Sequence, residues 1–233
     1  MNQTVLVTGA TGFIGQYLIE NLLVQHYQVI GLMRQKNKIS KRMNLTWVSA
    51  LEDIEHKNID YVVNLAGESI GQGRWTDKRK QQLIQSRVKT TQQLYQWLEK
   101  KQIQPKKIIS GSAIGFYGID PLEQWQGECD ESSASQTIFM SELCQHWENE
   151  ALSYTRQNTQ NTQNTQNTQN TQNTQNTQNT QNTQNTQNTQ NTQNTQIIRL
   201  GVVFGQGGGI LPQMLLYRLN SISLGELAQV NNP

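Results

Sequence analysis

The sequence predicts an α/β fold in which helices pack on both faces of a mainly parallel β-sheet. Two observations support this prediction. Short β-branched or apolar runs of strand length alternate along the chain with longer segments of helical period, which is the pattern of βαβ units. The first run also turns into the first helical segment through the glycine-rich stretch "TGATGFIG" at 8–15. Such a turn is typical of nucleotide-binding α/β proteins.

Each element is predicted from its local pattern. The strand-like runs lie at 5–7, 28–33, 61–66, 107–112 and 197–205, with a weaker candidate at 45–50. The segments of helical period lie at 14–25, 78–101 and 139–154. In the second helix an apolar stripe recurs at helical spacing amid Lys, Arg and Gln, and it consists of Leu83, Ile84, Val88, Leu94, Tyr95 and Leu98.

Residues 158–196 interrupt this alternation with an unbroken repeat of Asn-Thr-Gln. The repeat has no charged and no apolar side chain, so it cannot bury surface to offset the entropy lost on ordering. It falls between the third helix and the last strand, where an α/β fold normally needs only about 2–6 residues. We expect a disordered insertion in a surface loop, and an adhesive, prion-like tract is the alternative.

Composition narrows the class of partner. The formal net charge of +2 at pH 7 is small and evenly spread, which argues against nucleic acid or an anionic membrane. No segment approaches the ~18 continuous apolar residues of a membrane span, and the N-terminus shows no signal-peptide pattern. Cys129 and Cys144 form no CxxC pair and no metal spacing with the histidines. We expect a cytoplasmic protein with no metal site that acts on a small molecule.

Gly9, Gly12 and Gly15 lie where a buried strand turns into an apolar helix. Glycines at this place let the backbone approach a pyrophosphate, and the helix N-terminus adds N–H groups and a positive dipole. The pattern therefore predicts a dinucleotide-binding loop in a Rossmann-type, doubly wound parallel sheet. A flexible glycine-rich turn without a ligand is the alternative.

The residues after the second strand bear on which dinucleotide is bound. An acidic residue about 20 positions after the glycines binds the 2′-hydroxyl of NAD, whereas an arginine accommodates the 2′-phosphate of NADP. Residues 22–50 contain no Asp or Glu, and Arg34 ends the second strand. We therefore expect NADP(H) in preference to NAD(H), the alternative being a solvated basic loop. The basic residues of this segment are Arg34, Lys36, Lys38, Lys41 and Arg42.

Several motifs in chain order resemble the extended short-chain dehydrogenase/reductase superfamily, which includes nucleotide-sugar epimerases and dehydratases. They are "TGATGFIG" at 8–15, "NLAG" at 64–67, "SGSAIGFYG" at 110–118 and "RLGVVFG" at 199–205. Two longer stretches, "LAGESIGQGRWTDKRKQQLIQSRVKTT" and "ELCQHWENEA", resemble an atypical bacterial and organellar subgroup called epimerase family proteins. The resemblance implies that the cofactor contacts Gly9, Thr11, Gly12, Phe13, Ile14, Gly15, Arg34, Leu65, Ala66 and Gly67.

The resemblance also implies a catalytic helix, but the usual chemistry is missing from it. The superfamily uses a Tyr-x-x-x-Lys pair on one helical face, and no such pair occurs in this sequence. Alignment through Glu148 puts Met140 and Cys144 in the two places. Cys144 is either a packing residue or a reactive thiolate, and the first is favoured. Ser112, Tyr117 and Cys144 remain the catalytic candidates.

Glu68, Arg74 and Trp75 follow the fourth strand, at the edge where open α/β sheets bind ligands. An arginine and an aromatic ring there suit an anionic or planar substrate. The alternative is that Trp75 packs the loop down. These three residues are the predicted substrate contacts.

The expected organisation is a Rossmann domain at 1–157, the repeat at 158–196, the last strand and its loop at 197–216, and an unassigned tail at 217–233. The resemblance implies a longer substrate-binding portion after the last strand, so we expect that region to be largely missing, through a shifted reading frame or a truncation. Three functions stay open. The first is an NADP(H)-dependent oxidoreductase or epimerase acting on a small molecule, of which a nucleotide-sugar-like compound is one candidate. The second is a cofactor-binding or sensing protein without turnover, and the third is an inactive product.

Overall fold

The computed structural model describes residues 3–34, 42–55, 58–71, 73–120, 129–154, 195–205 and 208–209. Six strands form one sheet in the order β3-β2-β1-β4-β5-β6, and every neighbouring pair is parallel. This is the strand order of the Rossmann fold, so the predicted fold class is confirmed. The six strands are β1 (Thr4–Thr8), β2 (Gln28–Leu32), β3 (Leu45–Val48), β4 (Tyr61–Asn64), β5 (Lys107–Ala113) and β6 (Thr195–Leu200).

Helices cover both faces of the sheet. Helix α1 (Phe13–Val24) packs on a cluster that includes Val5, Val7, Val29 and Val63. Successive residues of a strand point to opposite faces, so Leu6, Ile30 and Val62, which adjoin these valines, face the other way, as does Ile108 on β5. There they pack with residues of α2 (Asp77–Lys100) and α3 (139–154), among them Leu94, Leu98 and Ala151.

Some element bounds differ from those predicted. Strand β4 ends at Asn64, so Leu65 and Ala66 lie in the loop that follows. The predicted last strand is divided: β6 ends at Leu200, and a short hairpin of β7 (Phe204–Gly205) and β8 (Gly208–Gly209) follows residues 201–203.

Strand β6 begins at Thr195, two residues before the predicted start. Thr195 and Gln196 of the Asn-Thr-Gln repeat pair with Ile108 and Ile109 of β5. Ladder hydrogen bonds use the backbone alone, and threonine is a favourable strand residue. The remainder of the repeat, 158–194, and the predicted tail, 217–233, lie outside the described residues.

Within the described part of the chain, no helix is long and apolar enough to cross a membrane. The same residues contain no group of three or more His, Cys, Asp or Glu side chains that could hold a metal ion.

Asp60, directly before β4, contacts residues at the amino-terminal ends of the neighbouring strands β1 and β5. Its carboxylate accepts a hydrogen bond of 2.8 Å from the Thr4 N–H and lies 2.8 Å from the Lys106 Nζ. The Lys106 ammonium, followed by the Thr4 N–H, lowers the pKa of Asp60 below its ordinary value.

Replacing Asp60 by Asn should lower the free energy of unfolding by about 1 kcal/mol at pH 7, because a charge-assisted bond becomes a neutral one. A carboxyl whose pKa is lower when folded stabilises above its unfolded pKa and loses that effect as the pH falls through the folded value. The gap between wild type and Asp60→Asn in urea denaturation should therefore narrow from pH 7 to pH 3. A gap that stayed constant would assign the loss to packing and not to charge.

Candidate functional site

A cavity of about 910 Å³ opens at the carboxyl ends of β1, β2 and β4. Chain order along the sheet reverses between β1 and β4, and open α/β sheets bind their ligands at this switch point. The volume lies in the usual range for small-molecule and cofactor sites. The β1–α1 turn lines part of the cavity, and α2 lines another part with Gln82, Ser86, Lys89 and Gln93.

The three glycines of the β1–α1 turn serve different purposes. Gly9 has a φ of 65°, and a Cβ there would lie 2.5 Å from the Leu65 carbonyl oxygen. Gly15 is buried in α1, and a Cβ there would collide with the Gly9 carbonyl oxygen. Gly12 has an ordinary φ of −73°, is exposed, and lines the cavity. Gly9 therefore allows the turn, Gly15 allows close helix packing, and Gly12 leaves room for a ligand.

This turn fits the pyrophosphate of a dinucleotide. Gly12 is the residue before the first turn of α1, and no side chain caps that end of the helix. The backbone N–H groups of the first turn of a helix have no partner within the helix, so they are available to an anion. The geometry thus supports the predicted phosphate loop over a turn without a ligand.

Most of the predicted cofactor residues come together around this cavity, but three do not line it. Phe13, Ile14 and Gly15 form the first turn of α1 behind the loop. The Phe13 ring packs under the β7–β8 hairpin, where a Cβ on Gly205 would lie 2.5 Å from its Cζ. The predicted cofactor residues that do line the cavity are Gly9, Thr11, Gly12, Arg34, Leu65, Ala66 and Gly67, and the predicted substrate residue Glu68 lines it as well.

The structure separates two of the basic residues that follow β2. Arg34 lines the cavity with a side chain that is 81% exposed, and its Nη1 lies 3.9 Å from Glu68 Oε1. Arg42 instead pairs through both terminal nitrogens with Glu20 on α1. Lys36, Lys38 and Lys41 lie outside the described residues. Arg34 is thus placed to meet an anion in the cavity, whereas Arg42 is engaged in a surface ion pair.

A buried polar link beneath the cavity was missed by sequence reasoning. The Thr8 hydroxyl donates to Asn64 Oδ1 at 2.6 Å, and Asn64 Nδ2 donates to Thr91 Oγ1 at 2.8 Å. The link joins β1, β4 and α2 directly under the ligand-binding edge. A polar residue at the end of each of two buried strands was the available signal, since buried polar groups require partners.

Ser112 and Tyr117 are brought together by a second buried link. Ser112 Oγ donates to Glu148 Oε1 at 2.6 Å, and Arg199 binds both oxygens of Glu148 at 2.9 Å. Arg199 Nη1 also donates to the Tyr117 hydroxyl at 2.9 Å, and its Cζ lies 3.5 Å from the centre of the Phe116 ring. The hydrogen bond to Glu148, followed by that to Tyr117, raises the pKa of Arg199. Sequence reasoning used Glu148 only for alignment and overlooked Arg199.

Cys144 lies beside Ser112 and Ala113, but its thiol is not arranged as a nucleophile. Its thiol is buried and within 3.7 Å of the Ala113 carbonyl oxygen. Burial raises the pKa of the thiol above its ordinary value, although Ser112 and Ala113 act in the opposite direction. The neighbouring Met140 packs against Gly115, where a Cβ would lie 2.9 Å from its Cε. These contacts favour the packing interpretation of Cys144.

Of the three predicted substrate residues, only Glu68 lines the cavity. Trp75 donates from Nε1 to the Ile70 carbonyl oxygen at 2.9 Å, and its ring meets Phe139 edge-on at 5.3 Å, so it holds its loop down. Glu68 forms an ion pair with Arg79. Arg74 is exposed and lies outside the residues that line the cavity.

The strand order, the glycine turn and the cavity at the switch point define a Rossmann-type protein with a dinucleotide-binding type of loop. A model of the NAD dependent epimerase/dehydratase family matches residues 5–209, and the chain belongs to this family.

Named relatives support the same assignment. Epimerase family protein YfhF of Bacillus subtilis is 36% identical over 151 residues, which are 63% of this chain and 48% of that protein. The chloroplastic SDR39U1 homolog of Arabidopsis thaliana is 28% identical over 221 residues, or 91% of this chain and 52% of that protein. The solved structure of human epimerase family protein SDR39U1 with NADPH superposes with a TM-score of 0.62 at 26% identity, covering 92% of this chain and 59% of that one. The chain thus spans about half the length of the curated relatives it matches.

Proposed function

We propose that the chain binds NADP(H) in preference to NAD(H) and acts as an oxidoreductase or epimerase on a small molecule in the cytoplasm. The observation that carries the proposal is the cavity itself, which brings Gly9, Gly12 and Arg34 together around one space. A dinucleotide extended from the glycine turn toward Arg34 would place its adenosine 2′-phosphate near an exposed guanidinium. The human relative SDR39U1 was solved with NADPH, which supports this choice of cofactor.

The cytoplasmic location rests on the cysteines. Cys129 is an exposed free thiol and Cys144 a buried one, and free thiols suit a reducing compartment.

The residues around Ser112 define the acid–base part of the proposal. A nicotinamide cofactor supplies hydride chemistry, which leaves proton transfer and substrate orientation to the protein. Ser112 donates the hydrogen bond of its hydroxyl to Glu148, so its oxygen lone pairs are left to accept a hydrogen bond from a substrate hydroxyl. Tyr117 accepts from Arg199, so its own O–H proton is left for transfer. In this scheme Ser112 orients the substrate, and Tyr117 donates or accepts the proton.

A binding protein without turnover is the second candidate function. It is favoured by Met140 and Cys144, which carry no titratable group suited to pH 7 in the places of the superfamily's tyrosine and lysine. The two candidates share the cofactor site and differ only in whether Tyr117 takes part in chemistry.

Arg34→Gln tests the cofactor preference. NADPH affinity should fall about tenfold, toward the affinity for NADH, because a charge-assisted contact to the 2′-phosphate is lost from an exposed position. NADH affinity should not change. Both are measured by titration of reduced-nicotinamide fluorescence.

Arg42→Gln is the matched control, since it removes the same charge from a side chain paired with Glu20. Equal losses for NADPH and NADH in Arg34→Gln, or no loss in either, would contradict the preference.

A further inference from the structure

Arg87 is a half-buried cation at the ligand-binding edge that forms no ion pair within the described part of the chain, although the charge of the Glu68 carboxylate acts to raise its pKa. It projects from α2, and its Nη2 donates to the Glu68 carbonyl oxygen at 2.9 Å. Nη1 donates to the Leu83 carbonyl oxygen at 3.2 Å and to Ser86 Oγ at 3.3 Å. Arg87 forms none of the ion pairs found among the described residues. Burial lowers its pKa, so the charge is held where water stabilises it poorly.

The guanidinium of Arg87 is packed between the loop after β4 and helix α3. A Cβ on Gly67 would lie 3.0 Å from its Cζ, so the loop after β4 packs directly against it. Its Cζ lies 5.3 Å from the centre of the Trp147 ring on α3. Trp147 sits three residues after Cys144, so Arg87 faces the helix on which the superfamily's lysine is replaced.

The indole N–H of Trp147 is a second indication, independent of Arg87, that a ligand binds here. Its Nε1 is buried and has no hydrogen-bond partner among the described residues. A buried donor without an acceptor is costly and rare in folded proteins. The two neighbouring residues therefore combine a guanidinium that forms no ion pair with an N–H donor that lacks an acceptor among the described residues. A group that carries negative charge and several acceptor oxygens would satisfy both.

We propose that Arg87 and Trp147 bind an anionic group, a carboxylate or a phosphate, of the substrate at the carboxyl ends of β4 and β5. The site borders the cofactor cavity through Gly67 and Glu68, which line that cavity, whereas Arg87 and Trp147 are not among the residues that line it. Cys144 stands where the superfamily has a lysine, and in this proposal Arg87 of α2 supplies a cation near that place and binds the substrate. The assignment rests on the proposed function only for the identity of the cofactor beside the site.

Thermal unfolding with inorganic phosphate as the probe tests the proposal. The full chain, saturated with NADPH, is titrated with phosphate at constant ionic strength, with acetate as a carboxylate probe in a parallel series. The melting temperature of the wild type should rise with phosphate, because a ligand of the folded state stabilises it by mass action. In Arg87→Gln the phosphate dissociation constant should rise at least about tenfold. Lys78→Gln removes the same charge from an exposed place on the same helix and should respond as the wild type does.

Two further readouts separate binding from a structural role. Trp147→Phe keeps an aromatic ring beside Arg87 but removes the N–H together with the five-membered ring of the indole, so it should fold with somewhat lower stability and bind phosphate several-fold more weakly. NADPH affinity should stay within about threefold of wild type in both variants.

A wild-type response to phosphate retained in Arg87→Gln and Trp147→Phe would overturn the proposal, as would the absence of any response in the wild type. A large loss of NADPH affinity in Arg87→Gln would reassign the guanidinium to a cofactor phosphate. Failure of the wild type to bind NADPH would instead contradict the proposed function, and the phosphate series without NADPH would still report on Arg87.

Discussion

Gly12→Val should abolish most NADPH binding while the chain remains folded. Gly12 is exposed at the cavity and has a φ of −73°, which any residue adopts, and a Cβ there would lie 3.1 Å from the Gly9 carbonyl oxygen, so the turn needs only a small shift to accept it. The added side chain would occupy the space where a pyrophosphate meets the backbone. Losing about 2 kcal/mol of charge-assisted hydrogen bonding corresponds to a decrease in affinity of about 30-fold. The measurement is NADPH titration together with a thermal melt of each variant.

Two other glycines provide contrasts for Gly12→Val. Gly201→Val is the control, because a Cβ there has no atom within 4 Å and the residue lies away from the cavity. Gly15→Val should unfold the protein, since Gly15 is buried against the Gly9 carbonyl oxygen. Normal NADPH affinity in a folded Gly12→Val protein would exclude the glycine turn as the phosphate site.

Glu148→Ala should lower the free energy of unfolding by about 3 kcal/mol at pH 7, the low end for breaking a buried ion pair. The side chain of Glu148 is 8% exposed and that of Arg199 is 19% exposed. Removing the carboxylate leaves the guanidinium without its counter-ion and Ser112 without its acceptor. Urea denaturation gives the value directly.

Two further variants show whether charge or packing is responsible for that loss. Glu148→Gln keeps the shape and one acceptor, so it should lose about half as much. The double variant Glu148→Leu with Arg199→Met removes both charges and should recover much of the stability. A loss below about 1 kcal/mol in Glu148→Ala would mean that α3 is held to β5 and β6 by its apolar contacts alone.

The fold was readable from sequence because its signals are local. The β-branched or apolar runs, the helical period of 3.6 residues and the glycine turn all report on neighbouring residues, and they indicated the type of each element and the order of the elements along the chain. The bounds were less accurate where backbone pairing overrides side-chain character. Strand β6 begins with Thr195 of a repeat that has no apolar residue, because β5 offers it a parallel partner.

Only part of the site could be predicted from the sequence, because the contacts that were not predicted join residues that are distant in sequence. Arg199 and Glu148 lie 51 positions apart, and neither stands out in its own segment. Arg87 follows Ser86 in a helix rich in Lys, Arg and Gln, so its pattern suggests a solvated face. Its burial depends on the β4 loop and on α3. Trp75 had two equal interpretations, and the hydrogen bond to Ile70 favours packing.

Titration of NADPH into the wild-type chain, with displacement by adenosine nucleotides, tests the central claim most directly. We expect saturable one-to-one binding that 2′,5′-ADP displaces about tenfold more effectively than 5′-ADP, because only the former carries the phosphate expected to meet Arg34. Binding that does not saturate, or equal displacement by the two nucleotides, would contradict it.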